Sequence, residues 1–101
     1  MDTKQDIMNF LIANRLHLQQ HYHILKMGLF GSFARGEQTQ ESDIDLLIEL
    51  EKGTENIHEL KKDLSRFLTH SFGRPVDIAR EKYLKPYARD AILSDTVYAY
   101  E

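Results

Sequence analysis

Gly31-Ser32, followed ten residues after the serine by Ser42-Asp43-Ile44-Asp45-Leu46-Leu47-Ile48, joins two residue types suited to the chemistry of charged oxygens. Successive side chains of a strand point to opposite faces, so Asp43, Asp45, Leu47 and Glu49 share one side and Ile44, Leu46, Ile48 and Leu50 the other. Burial of the aliphatic row pins the register, because a slip by one residue would exchange carboxylates for aliphatics. Adjacent carboxylates raise one another's pKa unless a divalent cation lies between them. Hard oxygen donors of this kind suit Mg²⁺ or Mn²⁺. Gly31 admits a close backbone approach, Ser32 offers a hydroxyl, and the first free N–H groups of a following helix attract anions. The phosphate tail of a nucleoside triphosphate fits there, and Arg35 adds a charge-assisted contact to it. Each motif alone is a weak signal, but their order and spacing together point to metal-dependent chemistry on a nucleoside triphosphate.

The elements that must hold these residues follow from periodicity. Residues 23–30 read as an apolar strand interrupted by Lys26, running into a tight turn and short helix at Gly31-Ser32-Phe33-Ala34-Arg35-Gly36. The polar loop 37–41 returns the chain to the aspartate strand. Upstream, Ile7, Phe10, Leu11 and Leu18 predict a helix over about residues 3–20, capped by Asp2 or Thr3. His17, His21 and His23 read as a polar helix end, since no third ligand of suitable type is evident for a zinc site. A second helix starts near Asn56, which forms a capping-box-like pair with Glu59. Its residues Ile57, Leu60, Leu64, Phe67 and Leu68 should lie on the sheet, with Lys61, Lys62 and Asp63 solvated. Gly73 suits a left-handed turn before a strand around 76–79, Pro86 opens a final helix, and 97–100 form an edge strand or a docking tail.

This order predicts an α/β domain with a small mixed β-sheet flanked by helices, not a doubly wound nucleotide-binding fold. No G-x-x-x-x-G-K-[ST] pattern is present, which disfavours transfer of a terminal phosphoryl group and favours transfer of the nucleotidyl group. The 101 residues support one core, read as a single domain over 1–101, and 42% hydrophobic with 29% charged content is ordinary for a soluble chain. A net charge of -3 argues against a nucleic-acid partner. The absence of cysteine is compatible with a reducing cytoplasm, and no apolar run approaches the ~20 residues that span a bilayer. The expected location is the cytoplasm, with no membrane partner.

Gly31-Ser32-Phe33-Ala34-Arg35-Gly36 and the Asp43/Asp45 segment resemble the minimal nucleotidyltransferases of the DNA polymerase beta-like superfamily. The resemblance implies a third carboxylate from a later strand, here Asp77 in Arg74-Pro75-Val76-Asp77-Ile78-Ala79. With it, Asp43, Asp45 and Asp77 would be the catalytic metal ligands, and Gly31, Ser32 and Arg35 the nucleotide-binding residues. The implied chemistry is a displacement at the α-phosphorus assisted by two Mg²⁺ ions, with Asp77 also taking the acceptor proton and pyrophosphate leaving. Many such proteins are similar to antitoxins whose partner is a HEPN ribonuclease toxin, and some attach AMP from ATP to a tyrosine of that toxin. A binding-only antitoxin and an enzyme modifying a small molecule are the alternatives. The shortness of the chain favours an acceptor that arrives as another protein. Tyr22, Tyr83, Tyr87, Tyr98 and Tyr100 stay unassigned between a partner surface and ordinary packing.

Overall fold

Thr3 opens the first helix as expected: its hydroxyl accepts a hydrogen bond from the Asp6 N–H at 3.1 Å. In the computed structural model, which describes residues 1–101, the expected long helix is two: α1 (Lys4–Ala13) and α2 (Arg15–Tyr22). The break falls at Asn14, whose side-chain amide donates to the Phe10 carbonyl at 2.9 Å while its backbone leaves the helical region. An asparagine offers the chain a local alternative to the helical ladder, and apolar periodicity does not register it.

The remaining elements are β1 (Ile24–Phe30), α3 (Gly31–Arg35), β2 (Ile44–Leu50), α4 (Ile57–Phe72), β3 (Val76–Arg80), a 3₁₀ turn (Glu81–Tyr83), α5 (Pro86–Asp95) and β4 (Val97–Tyr100). The sheet order is β3-β2-β1-β4, with β1 antiparallel to β2 and β4 and β2 parallel to β3. The expected mixed sheet is therefore present, and residues 97–100 are its edge strand. Gly73 ends α4 in the left-handed conformation (φ 72), as read. The expected capping box does not form, because Asn56 is itself left-handed (φ 53) and makes no side-chain cap. A side-chain N-cap normally needs extended backbone.

One face of the sheet is the core. Met27 and Leu29 of β1 and Ile44, Leu46 and Ile48 of β2 pack there against Leu11 of α1, Leu18 of α2 and Leu64 and Leu68 of α4. An irregularity in the β1–β2 register between Ile24 and Lys26 lets Ile24 join this face while Lys26 stays off it. The other face carries Lys26, Gly28 and Phe30, paired in register with Glu49, Leu47 and Asp45. No helix is long and apolar enough to cross a membrane.

Candidate active site

Strand β2 begins at Ile44, whose N–H donates to the Pro75 carbonyl at 3.0 Å and starts the parallel ladder with β3. Asp43 thus stands exposed just ahead of the strand, and Asp45 is the half-buried second residue within it. The ladder sets Asp45 directly beside Asp77, while the antiparallel ladder sets it opposite Phe30. All three aspartates singled out from the sequence lie at this end of the sheet. A single register decides it, and that register is held by the aliphatic row on the core face.

Gly31 follows β1 directly, with φ +75. A Cβ built on it would collide with Oδ2 of Asp45, so no side chain fits without moving that carboxylate. The glycine therefore makes room for the Asp45 carboxylate, in addition to any ligand. Phe33, fully buried, anchors the short helix α3 in the core, and Gly36 ends it in the left-handed conformation. Ser32 sits partly exposed in the first turn, and its carbonyl accepts from the Glu37 N–H at 2.9 Å. Arg35 is tethered: Nε donates to Glu37 at 3.0 Å and Nη1 to Asp95 at 2.8 Å.

The electrostatics follow from this placement. Burial, then the charges of Asp77 and Asp43, push the Asp45 carboxyl above its ordinary pKa, and the Arg35 charge pulls the other way. No three His, Asp or Glu side chains are grouped closely enough to hold a metal ion by themselves. That suits Mg²⁺, which is commonly held by one or two carboxylates together with substrate phosphates and water. The adjacent Asp45 and Asp77 carboxylates are oxygen donors of that kind.

Reading the sequence missed a second polar cluster on the same face. Glu81 accepts from Lys26 Nζ at 3.3 Å and from the Tyr98 hydroxyl, and Lys26 Nζ lies 4.5 Å from the Tyr98 ring centre. Lys26 was visible only as a polar interruption of an apolar strand, and its partners lie 55 and more residues away.

A family model described as a nucleotidyltransferase domain matches residues 14–99. This chain belongs to the nucleotidyltransferase family. Among relatives of this nucleotidyltransferase, the protein adenylyltransferase MntA of Thermococcus cleftensis is 31% identical, with 97% of each chain covered. A solved structure described provisionally as a minimal nucleotidyltransferase superposes with a TM-score of 0.75 at 30% identity, covering 96% of this chain and 95% of that one. The fold also recurs, at 15% identity and a TM-score of 0.62, in a complex of tri-AMPylated Shewanella oneidensis HEPN toxin with MNT antitoxin, covering 92% of this chain and 71% of the other.

Proposed function

We propose that this nucleotidyltransferase is an antitoxin that transfers AMP from ATP to a hydroxyl, that of a tyrosine, on a HEPN-type toxin and releases pyrophosphate. The observation that carries this reading is the placement of Asp45, beside Asp77 and against Gly31, in a site where like charges are gathered without a protein cation bound to them. The names of the relatives supply the nucleotide and the acceptor class.

In this reading Gly31 and Ser32 hold the leaving phosphates at the start of α3, and Arg35, at the far end of the same helix, adds positive charge beside them. Asp43, Asp45 and Asp77 would hold the Mg²⁺ ions, which when bound neutralise the triphosphate and lower the pKa of the acceptor hydroxyl. The acceptor oxygen forms a bond to the α-phosphorus, the bond from that phosphorus to the bridging oxygen of the leaving pyrophosphate breaks, and Asp77 takes the acceptor proton. Positioning dominates the contribution of the protein, as the phosphates and the acceptor must lie in line.

The test mixes the chain with Mg²⁺, labelled ATP and a HEPN toxin encoded beside it, with Asp43→Asn plus Asp45→Asn as control. Label on a toxin tyrosine, lost in the double variant, is the expected result. An unlabelled toxin that the double variant still neutralises would replace catalysis by steric binding.

A further inference from the structure

Arg74 is a side chain only 10% exposed whose three guanidinium nitrogens each donate to another segment. Its Nη1 donates to the carbonyls of Thr39, Gln40 and Ser42 at 3.1, 3.0 and 3.2 Å. Its Nε donates to the Met1 carbonyl at 3.1 Å and its Nη2 to Asp2 at 2.9 Å, and the guanidinium lies 5.1 Å from the centre of the Phe33 ring. We infer that Arg74 is a positioning residue for nucleotidyl transfer, fixing Asp43 relative to the Gly31-Ser32 turn; the inference rests on the function proposed above.

The argument is geometric. The Ser42 carbonyl shares a planar peptide unit with the Asp43 N–H, so anchoring that oxygen restricts where Asp43 can stand. Asp43 has no strand ladder of its own, because β2 starts one residue later. Three carbonyl oxygens turned toward one point create a negative potential that a cation relieves, and the loop itself supplies none there. Phe33 belongs to α3, whose first residues are Gly31 and Ser32, so the guanidinium over its ring couples that turn to the aspartate lead-in. The backbone of Arg74 itself continues through Pro75, which accepts the Ile44 N–H, to Asp77. One cation therefore touches or precedes each segment that carries a site residue.

Lysine could reach the three carbonyls from one nitrogen, but it lacks the fork that serves Met1 and Asp2 and the flat face that stacks on Phe33. The proposal is tested by binding of α,β-methylene-ATP in the presence of Mn²⁺, measured alongside chemical unfolding. Arg74→Met should weaken binding by about tenfold or more, the scale of losses when a group orienting metal ligands is removed. Arg74→Lys should recover part of that loss. Glu81→Gln, destabilised at the other end of the sheet, should also bind normally, which separates positioning from general loss of stability. Equal binding by Arg74→Met and the unsubstituted protein would overturn the inference, as would a parallel loss in Glu81→Gln. If Arg74→Met does not fold, hydrogen exchange in Arg74→Lys decides: amides of 39–43 should exchange faster in step with weaker binding, and unchanged exchange overturns the role. An unsubstituted protein that binds no Mn²⁺–nucleotide would instead overturn the functional reading itself.

Discussion

The open face of the sheet carries carboxylates at both ends, and they are treated in opposite ways. At one end Glu81 accepts hydrogen bonds from Lys26 and Tyr98, and the Tyr98 hydroxyl, then Lys26, hold its carboxyl below the ordinary range. The same environment, burial first, pushes the Tyr98 hydroxyl up to about 12. At the other end Asp45 sits among Asp43 and Asp77, and burial and their charges raise it. A carboxylate satisfied by its own protein is a structural tie between strands. One left among like charges keeps an electrostatic cost that the rest of the fold must bear.

The sharpest way to break this comparison is to neutralise one carboxylate at each end. Asp45→Asn should lower nucleotidyl transfer by about a thousandfold, whereas Glu81→Gln should leave the rate of the folded protein nearly unchanged. Single-turnover assays at saturating ATP measure both, and equal losses would dissolve the distinction. Next in size is Gly31→Ala. The new Cβ must displace the Asp45 carboxylate and sits on a backbone with φ +75. Transfer should fall by about a hundredfold, the scale of a displacement near 1 Å, and stability by roughly 1–3 kcal/mol.

Smaller but more diagnostic is the sign of the stability changes. Glu81→Gln removes a charged acceptor from a mostly buried tie and should cost about 1.5 kcal/mol. Asp45→Asn removes a repelled, partly buried charge and should stabilise the fold at neutral pH by about 0.5–1 kcal/mol, a modest gain because the group keeps some solvent. Urea unfolding with both variants checks this, and destabilisation by Asp45→Asn would contradict it.

The smallest effect is the pH dependence. With its folded pKa raised, Asp45 binds its proton more tightly in the folded chain, so its contribution erodes stability as pH climbs from the ordinary aspartate value through the raised one. Glu81, with a lowered folded pKa, contributes stability that is full above the ordinary glutamate value and lost as pH falls through the folded value. Unfolding curves between pH 3 and 7 should show the first slope vanish in Asp45→Asn and the second in Glu81→Gln.

The elements near the site were largely legible in the sequence, because short-range patterns determine them. The aliphatic alternation of 44–50 announces β2, and the glycines at 31, 36 and 73 mark turns that do occur in left-handed backbone. The split at Asn14 and the failed cap at Asn56 were not legible, since both depend on where one amide side chain or backbone settles. The role of Arg74 left no trace either, as most of its partners are backbone carbonyls, up to 73 residues away, which carry no side-chain signature.

What the sequence determined by itself is which residues could do chemistry: two aspartates on the polar side of an amphipathic strand after a Gly-Ser turn, with a third suggested by family resemblance. The tertiary structure decided which carboxylates are satisfied and which are not. Asp45, Asp77 and Glu81 carry the same functional group, with closely similar intrinsic acidity. Only the parallel β2–β3 register and the approach of Lys26 and Tyr98, both long-range contacts, make one end of the face a neutralised tie and leave like charges gathered at the other.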